Sequence, residues 1–326
     1  MKILIIGMNY IGDTIFITPI IRAIKKHYGG NCTVDVINGS RGIDILKENP
    51  YINNIIVRDE NNLEFIKKEN YDIGFAANTS FISASILKKA NIPVRVGVNS
   101  ECRGFLLTHK TSWKKHSRHI VDTILSILKP LNIKDDGFYT ELFLSKEEEA
   151  FGYNKMKDYK NALIVHGGAT RISKRYTHFV ELIKEFKKEF NDVPVIIIGS
   201  KDDASFANTM KENINDIIDF TDKLTIRELI SVIKYSYALI GGDSAPLHIA
   251  NALGIYSIGI FGDTLPLIYG VRGDKAFNIE AREKYCNKIK SFHCEYIKRG
   301  CKTIDCLNKL DYRDILPYLV SIYKKL

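Results

Sequence analysis

Short runs rich in Val, Ile and Phe, bounded by Gly, Asn and Asp, alternate with longer stretches of helical apolar spacing along nearly the whole chain. Consecutive parallel strands need a long crossover, and a helix supplies it, so this alternation predicts an α/β protein with parallel sheets covered by helices. The expected strands are 2–7, 33–38, 52–58, 72–77 and 94–98 in the first half, and 162–166, 195–199, 217–220, 238–241 and 257–261 in the second. Between the two sets lie the polar run Asp135-Asp136-Gly137 and the Glu- and Lys-rich stretch 145–160. The boundary is therefore placed after residue 155, giving Rossmann-like domains over 1–155 and 156–326, the second ending in a helix near 312–325. With 326 residues, each half is long enough to bury its own core. Thr225-Ile226-Arg227-Glu228, just before an apolar-periodic run, has the form of a helix capping box.

A composition of 45% hydrophobic and 26% charged residues excludes disordered, collagen-like and coiled-coil chains. The opening run Met1 to Gly7 is too short for a signal-peptide core, and no segment approaches the roughly 18 apolar residues of a membrane span, so a soluble, cytoplasmic protein is expected. Lys and Arg outnumber Asp and Glu by 47 to 38, a net charge of +9, which points to an anionic partner: nucleic acid, lipid surface or phosphorylated small molecule. Nucleic acid is disfavoured, because the charge is spread over both halves and no recognition helix or single-strand motif accompanies it. Of six cysteines, Cys32 and Cys102 stand alone, while Cys286, Cys294, Cys301 and Cys306 crowd together with spacing C-x7-C-x6-C-x4-C. Without an export signal this favours thiols or metal over disulfides, and only the last spacing approaches that of zinc-binding pairs. Packed free thiols and a structural zinc or iron site both remain open.

Three turns carry chemistry. Gly7-Met8-Asn9-Tyr10-Ile11-Gly12-Asp13-Thr14 follows the first strand with the glycine spacing of a P-loop, but Asp13 replaces the phosphate-binding lysine, which argues against an NTPase. A carboxylate at a helix start stays ionised at neutral pH, and Asp13 is open to two readings: a general base on a hydroxyl, or a helix cap. The second domain opens on Leu163 to Tyr176, where strand, Gly167-Gly168, hydroxyls and the adjacent cations Lys174 and Arg175 have the makings of a phosphate clamp. Finally, Gly241-Gly242-Asp243-Ser244-Ala245-Pro246-Leu247-His248 turns a strand end into a helix with Pro suited to its first turn, a second anion site. Set against a core histidine, His248 is read as functional because three polar features meet on that turn.

Taken in order, the Gly12-Asp13 turn, the His166-Gly167-Gly168-Ala169 run through Lys174, Asp243 to His248, and Phe261-Gly262-Asp263-Thr264 resemble the ADP-heptose:lipopolysaccharide heptosyltransferase family, glycosyltransferase family 9. His119-Ile120-Val121-Asp122 and the cysteine-rich segment share the likeness. The resemblance implies a GT-B fold with two Rossmann-like domains facing a cleft, and inverting, metal-independent transfer of heptose from ADP-heptose to a hydroxyl, most naturally on a lipopolysaccharide inner-core glycolipid at the inner face of the inner membrane. Heptosyl transfer to a protein or small molecule, a nucleotide-sugar binder without turnover, and a nicotinamide dehydrogenase are the alternatives; the missing Gly-x-Gly-x-x-Gly argues against the last.

By the same resemblance Asp13 is the base and Lys174 sits on the diphosphate, stabilising the leaving group, with Thr170 nearby. The backbone of Ser244, Ala245 and Pro246 meets the phosphates, Asp203 (with Asp202 its rival) takes the ribose hydroxyls, and Asp243 and His248 line the donor pocket. Asn9, Tyr10, Gly12, Lys114 and Arg118 are assigned to the acceptor, and no cofactor is needed for catalysis. The chain departs from the family pattern at Gly7, where a basic residue is common, and at Gly167, Tyr176 and Ala245, where Pro, Trp and Gly are common. The Gly7 change touches the acceptor side. The stretch from Arg103 through His109, Lys110, Trp113, Lys114, Lys115, His116 and Arg118 to His119 is the densest positive charge. It reads either as a solvated loop or as an acceptor-facing loop that holds acidic groups of a glycolipid.

Overall fold

A computed structural model describes residues 1–112, 118–168, 174–281 and 305–326, and the chain divides into two units, Met1–Phe143 and Leu144–Leu326. Thr170, Lys114, Cys286, Cys294 and Cys301 lie outside the described residues.

The first unit is built on strands β1 (Lys2–Ile6), β2 (Thr33–Asn38), β3 (Asn54–Val57), β4 (Ile73–Ala76), β5 (Val94–Asn99) and β6 (His109–Ser112). They pair in parallel in the order β3-β2-β1-β4-β5-β6. Helices α1 (Ile11–Ile15), α2 (Thr18–Tyr28), α3 (Ile43–Leu46), α4 (Asn62–Glu69), α5 (Phe81–Lys89) and α6 (Ile120–Leu125) cross between and follow the strands. Ile3, Leu4, Ile5 and Ile6 are all fully buried, as expected of a central parallel strand covered on both faces.

The second unit repeats this plan. It begins with helix α7 (Lys146–Met156) and continues β7 (Leu163–His166), α8 (Phe179–Glu189), β8 (Val195–Ile197), α9 (Ala204–Asn213), β9 (Ile217–Asp219), α10 (Ile226–Lys234), β10 (Ala238–Gly242), α11 (Ala245–Ala252), β11 (Tyr256–Phe261), α12 (Pro266–Tyr269) and β12 (Ala276–Glu280). Helices α13 (Asp305–Lys309) and α14 (Leu316–Tyr323) follow. All pairs are parallel, in the order β12-β11-β10-β7-β8-β9. Leu307, Leu310, Ile315, Leu319 and Ile322 extend its core, so the last helix is held by burial rather than by helix propensity.

Residues 145–160, read as the link between domains, include α7, which is counted here with the second unit. Ser145 and Glu148 form a capping box, and the Glu148 carboxylate also takes the Arg227 guanidinium of α10, with Arg227 Nε 2.6 Å from Oε1. Lys234 pairs with Glu149 alongside. The expected capping box at Thr225 is present, with Glu228 N–H donating to Thr225 Oγ1 at 3.3 Å and Thr225 N–H to the Glu228 carboxylate at 2.7 Å. Strands β6 and β12 were not expected: both lie at sheet edges and carry polar or half-exposed residues, so neither shows the apolar run that marks the others. The C-terminal helix spans Leu316–Tyr323 and is preceded by a short 3-10 turn at Tyr312–Asp314, so it is shorter than the 312–325 expected. No helix among the described residues is long and apolar enough to cross a membrane.

Candidate active site

In both sheets the first strand sits centrally, with the next two strands on one side and the last three on the other. The switch points, β1 beside β4 and β7 beside β10, are where open α/β sheets bind ligands, outside the carboxyl ends of the strands. Among the described residues, Asp13 lies on the turn after β1, and Lys174, Asp243 and His248 meet beyond β10, each group within its own unit.

In the first unit β1 runs into Gly7 and then into the five-residue α1, with Asp13 as its third residue and half-buried. A dense set of bonds fixes this turn. Met8 N–H donates to Asn38 Oδ1 at 2.9 Å, Asn38 Nδ2 to Thr14 Oγ1 at 3.0 Å, and Thr14 Oγ1 to the Tyr10 carbonyl at 2.8 Å. Gly7 is required by close approach, since a Cβ there would lie 2.4 Å from Asn38 Oδ1 and 2.7 Å from Ile17 Cδ1. A basic side chain at that position would displace Asn38. Here the Arg58 guanidinium, beyond β3, reaches the same turn instead, donating from Nη2 to the Gly7 carbonyl at 2.8 Å and from Nη1 to Asn9 Oδ1 at 2.9 Å. Among the described residues no carboxylate pairs with it and its buried Nε–H has no partner, and burial lowers its pKa. Asn78, beyond β4, donates to the Gly7 carbonyl at 2.7 Å. Neither Arg58 nor Asn78 has a local motif, and the sequence reading missed both.

Of the acceptor-side residues, Tyr10 is 58% exposed with Arg41 over its ring at 5.6 Å, Gly12 is half-buried, and Arg118 is half-buried next to undescribed residues. The basic stretch is corrected at both ends. Arg103 is fully buried and spends its guanidinium on the carbonyls of Val98, Ser80 and Asn78, with burial holding its pKa down to about 10. His119 is buried and caps α6, accepting from Val121 N–H at 3.2 Å. Both side chains are buried rather than presented on a solvated loop.

In the second unit Asp243, at the end of β10, is the hub. Its Oδ2 lies 2.6 Å from Lys174 Nζ and accepts from Thr264 Oγ1 at 2.7 Å, and its Oδ1 is 3.1 Å from His248 Nε2. Lys174 also donates to the Asp243 carbonyl at 3.1 Å. Burial alone would raise the Asp243 pKa, but the His248 hydrogen bond and the Lys174 charge hold it well below the usual carboxylate range. Asp243 is therefore a fixed anion that gathers Lys174 and His248, and His248 faces this carboxylate from a buried position on α11. Thr264 joins the network from beyond β11, a role the sequence reading did not assign.

Helix α11 begins here, with Ser244 as N-cap, Ala245 half-buried and Pro246 buried in the first turn. The Ser244 hydroxyl does not cap the helix and is turned elsewhere, to His166 Nδ1 at 3.0 Å and the Gly242 carbonyl at 3.1 Å. Burial pushes His166 down to about 4, so it is neutral at physiological pH. Of the two rivals for the ribose, Asp202 is exposed and Asp203 is buried. Asp203 Oδ2 accepts from Ser200 N–H at 2.8 Å and Ser200 Oγ at 2.9 Å, and its Oδ1 lies 3.7 Å from Arg175. Gly168 lets this carboxylate approach, because a Cβ there would sit 2.2 Å from Asp203 Oδ1.

Two doubly wound units, one presenting a carboxylate and the other a lysine and helix N-terminus at a switch point, define an α/β transferase of GT-B fold. The chain belongs to glycosyltransferase family 9 (heptosyltransferase), whose model matches residues 63–298. It is 28% identical to lipopolysaccharide heptosyltransferase 3 of Escherichia coli strain K12, over 79% of this chain and 81% of that protein. Identity to lipopolysaccharide heptosyltransferase 1 of Campylobacter coli is 26%, over 99% of both chains. The structure of E. coli ADP-heptose lps heptosyltransferase II superposes with a TM-score of 0.80 at 20% identity, covering 100% of this chain and 99% of that one. The protein is thus an enzyme, a heptosyltransferase, and the dehydrogenase and non-catalytic binder readings fall away.

Proposed function

We propose that this enzyme transfers heptose from ADP-heptose, with inversion and without a catalytic metal, to a hydroxyl of a lipopolysaccharide inner-core glycolipid at the cytoplasmic face of the inner membrane. The observation that carries the donor side is the pairing of Lys174 with Asp243 beside the start of α11. A buried anion keeps the ammonium in place, and the ammonium and the helix's first N–H groups are suited to the charge that grows on a departing diphosphate. Ser244 and Ala245 offer backbone N–H groups, Pro246 shapes the turn without one, and Asp203 takes the ribose hydroxyls. Thr170, outside the described residues, joins Lys174 on the phosphates.

On the acceptor side Asp13 removes the proton as the hydroxyl attacks the anomeric carbon in line with the leaving diphosphate. Asn9, Tyr10, Gly12, Lys114 and Arg118 hold the acceptor. Arg58 at the Gly7 carbonyl returns a cation to the turn where the family commonly carries one, which supports an anionic glycolipid over a protein or small-molecule acceptor. The cysteine segment needs no part in this chemistry. Among its cysteines only Cys306 is described, packed half-buried against the core, and metal analysis of the purified protein separates free thiols from a structural zinc or iron site.

A donor screen tests the reading. ADP-heptose should support nucleotide release that depends on a glycolipid-containing lipid extract, and UDP- and GDP-sugars should not. Release that favours a UDP- or GDP-sugar, or that ignores the extract, would sink it.

A further inference from the structure

Helix α5 opens just past β4 and turns Ser83, Ala84 and Leu87 inward, yet it leaves Phe81 at 40% and Ile82 at 66% exposure. Phe105, at 67% exposure, stands beside them, its ring 6.2 Å from that of Phe81. Lys88 lies over the Phe105 ring at 5.7 Å, and Lys89 is exposed next to it. Single exposed apolar residues need no explanation, but two phenylalanines and an isoleucine side by side, rimmed by lysines, do.

The patch is also built rather than accidental. Arg103 sits in the short 3-10 turn Arg103–Leu106 that carries Phe105, and its fully buried guanidinium bonds the carbonyls of Asn78 and Ser80, the residues that lead into α5. Burying a guanidinium is costly, and here its carbonyl bonds lock the two phenylalanine-bearing segments together. Glu101 Oε2 accepts from the Phe81 N–H at 3.1 Å. Lys88 and Lys89 are exposed and bring positive charge to the rim. The same Asn78 donates to the Gly7 carbonyl, so the patch adjoins the turn that carries Asp13.

We propose that Phe81, Ile82 and Phe105, with Lys88 and Lys89, form a docking surface for an anionic lipid bilayer. The apolar side chains enter the headgroup and acyl boundary while the lysines meet lipid phosphates. This rests on the glycolipid reading of the acceptor and deepens it: an acceptor anchored by acyl chains would be met at the bilayer plane, by a face contiguous with the first-unit site.

The test is co-sedimentation of the full chain, without donor or acceptor, with mixed phosphatidylcholine/phosphatidylglycerol vesicles and with phosphatidylcholine alone. The parent should bind the mixed vesicles, and F81S/I82S/F105S should lose that binding while keeping circular dichroism and ADP affinity. K88E/K89E should weaken binding to the anionic vesicles by at least about tenfold and leave the neutral ones little changed. Parental binding by the triple variant would overturn the proposal. So would a parent that ignores both vesicles but changes from dimer to monomer in the triple variant, which would make the patch a contact between copies. Because no sugar donor is present, docking can stand if ADP-heptose proves to be the wrong donor, and ADP-heptose transfer can stand if docking fails.

Discussion

At the scale of single residues, the site is organised by groups that hold other groups. Asp243 is buried and ionised, and it fixes Lys174 and His248 at the end of β10. Lys174→Ala removes the cation proposed for the diphosphate and leaves Asp243 with less compensation, so ADP affinity should fall about ten- to a hundredfold. Calorimetry with ADP checks this, and parental affinity would take Lys174 out of the donor site. Arg58 plays the corresponding part on the first unit by bridging the Gly7 carbonyl and the Asn9 side chain. Arg58→Ala should lower the transfer rate about ten- to a hundredfold through a displaced turn, with ADP affinity unchanged. Arg58→Lys should restore only part of the rate, because an ammonium cannot span both acceptors as a guanidinium fork does.

At the scale of elements, much of the fold was legible because a central parallel strand is buried on both faces and must be apolar throughout. Residues 3–6 and 238–242 declare themselves in this way, and the Thr225 capping box marks α10 from four letters. His109–Ser112 did not declare itself, because an edge strand with half-exposed polar residues carries no such signal. For the candidate site, the motifs pointed to Asp13, Lys174 and Asp243, since each sits on a strand-to-helix turn where backbone geometry constrains the sequence. Arg58, Asn78 and Thr264 arrive from the ends of other strands, and only the sheet order brings them in. Arg103 was misread for a related reason: sequence shows charge but not burial. The element-level expectation concerns α10. Thr225→Ala should destabilise the second unit by about 1 kcal/mol and lower its melting transition by about 2–4 °C. Transfer at moderate temperature should be unaffected, since the cap touches no site residue.

At the scale of the whole molecule, acid stability follows from a histidine that folds neutral. His166 falls from its ordinary 6.5 to about 4 in the folded chain, so the unfolded chain binds the extra proton between those values. Its contribution is therefore present above pH 6.5 and is lost as the pH falls toward 4, at up to about 1.4 kcal/mol per unit. Denaturant titrations of the parent and His166→Gln across this window should show a shallower pH dependence in the variant, whereas parallel curves would remove His166 as the cause. Asp243 acts lower on the scale, because its depressed pKa gives stability that is lost only as the pH falls below its ordinary 3.8. The division of labour between the units, a base on the first and a diphosphate site on the second, is the central claim. Its most direct test pairs two measurements on Asp13→Ala: the rate of heptose transfer from ADP-heptose to a glycolipid acceptor, and ADP affinity by calorimetry. Loss of transfer by about 100- to 10,000-fold with parental ADP affinity is the expected result. Transfer at the parental rate would contradict the account.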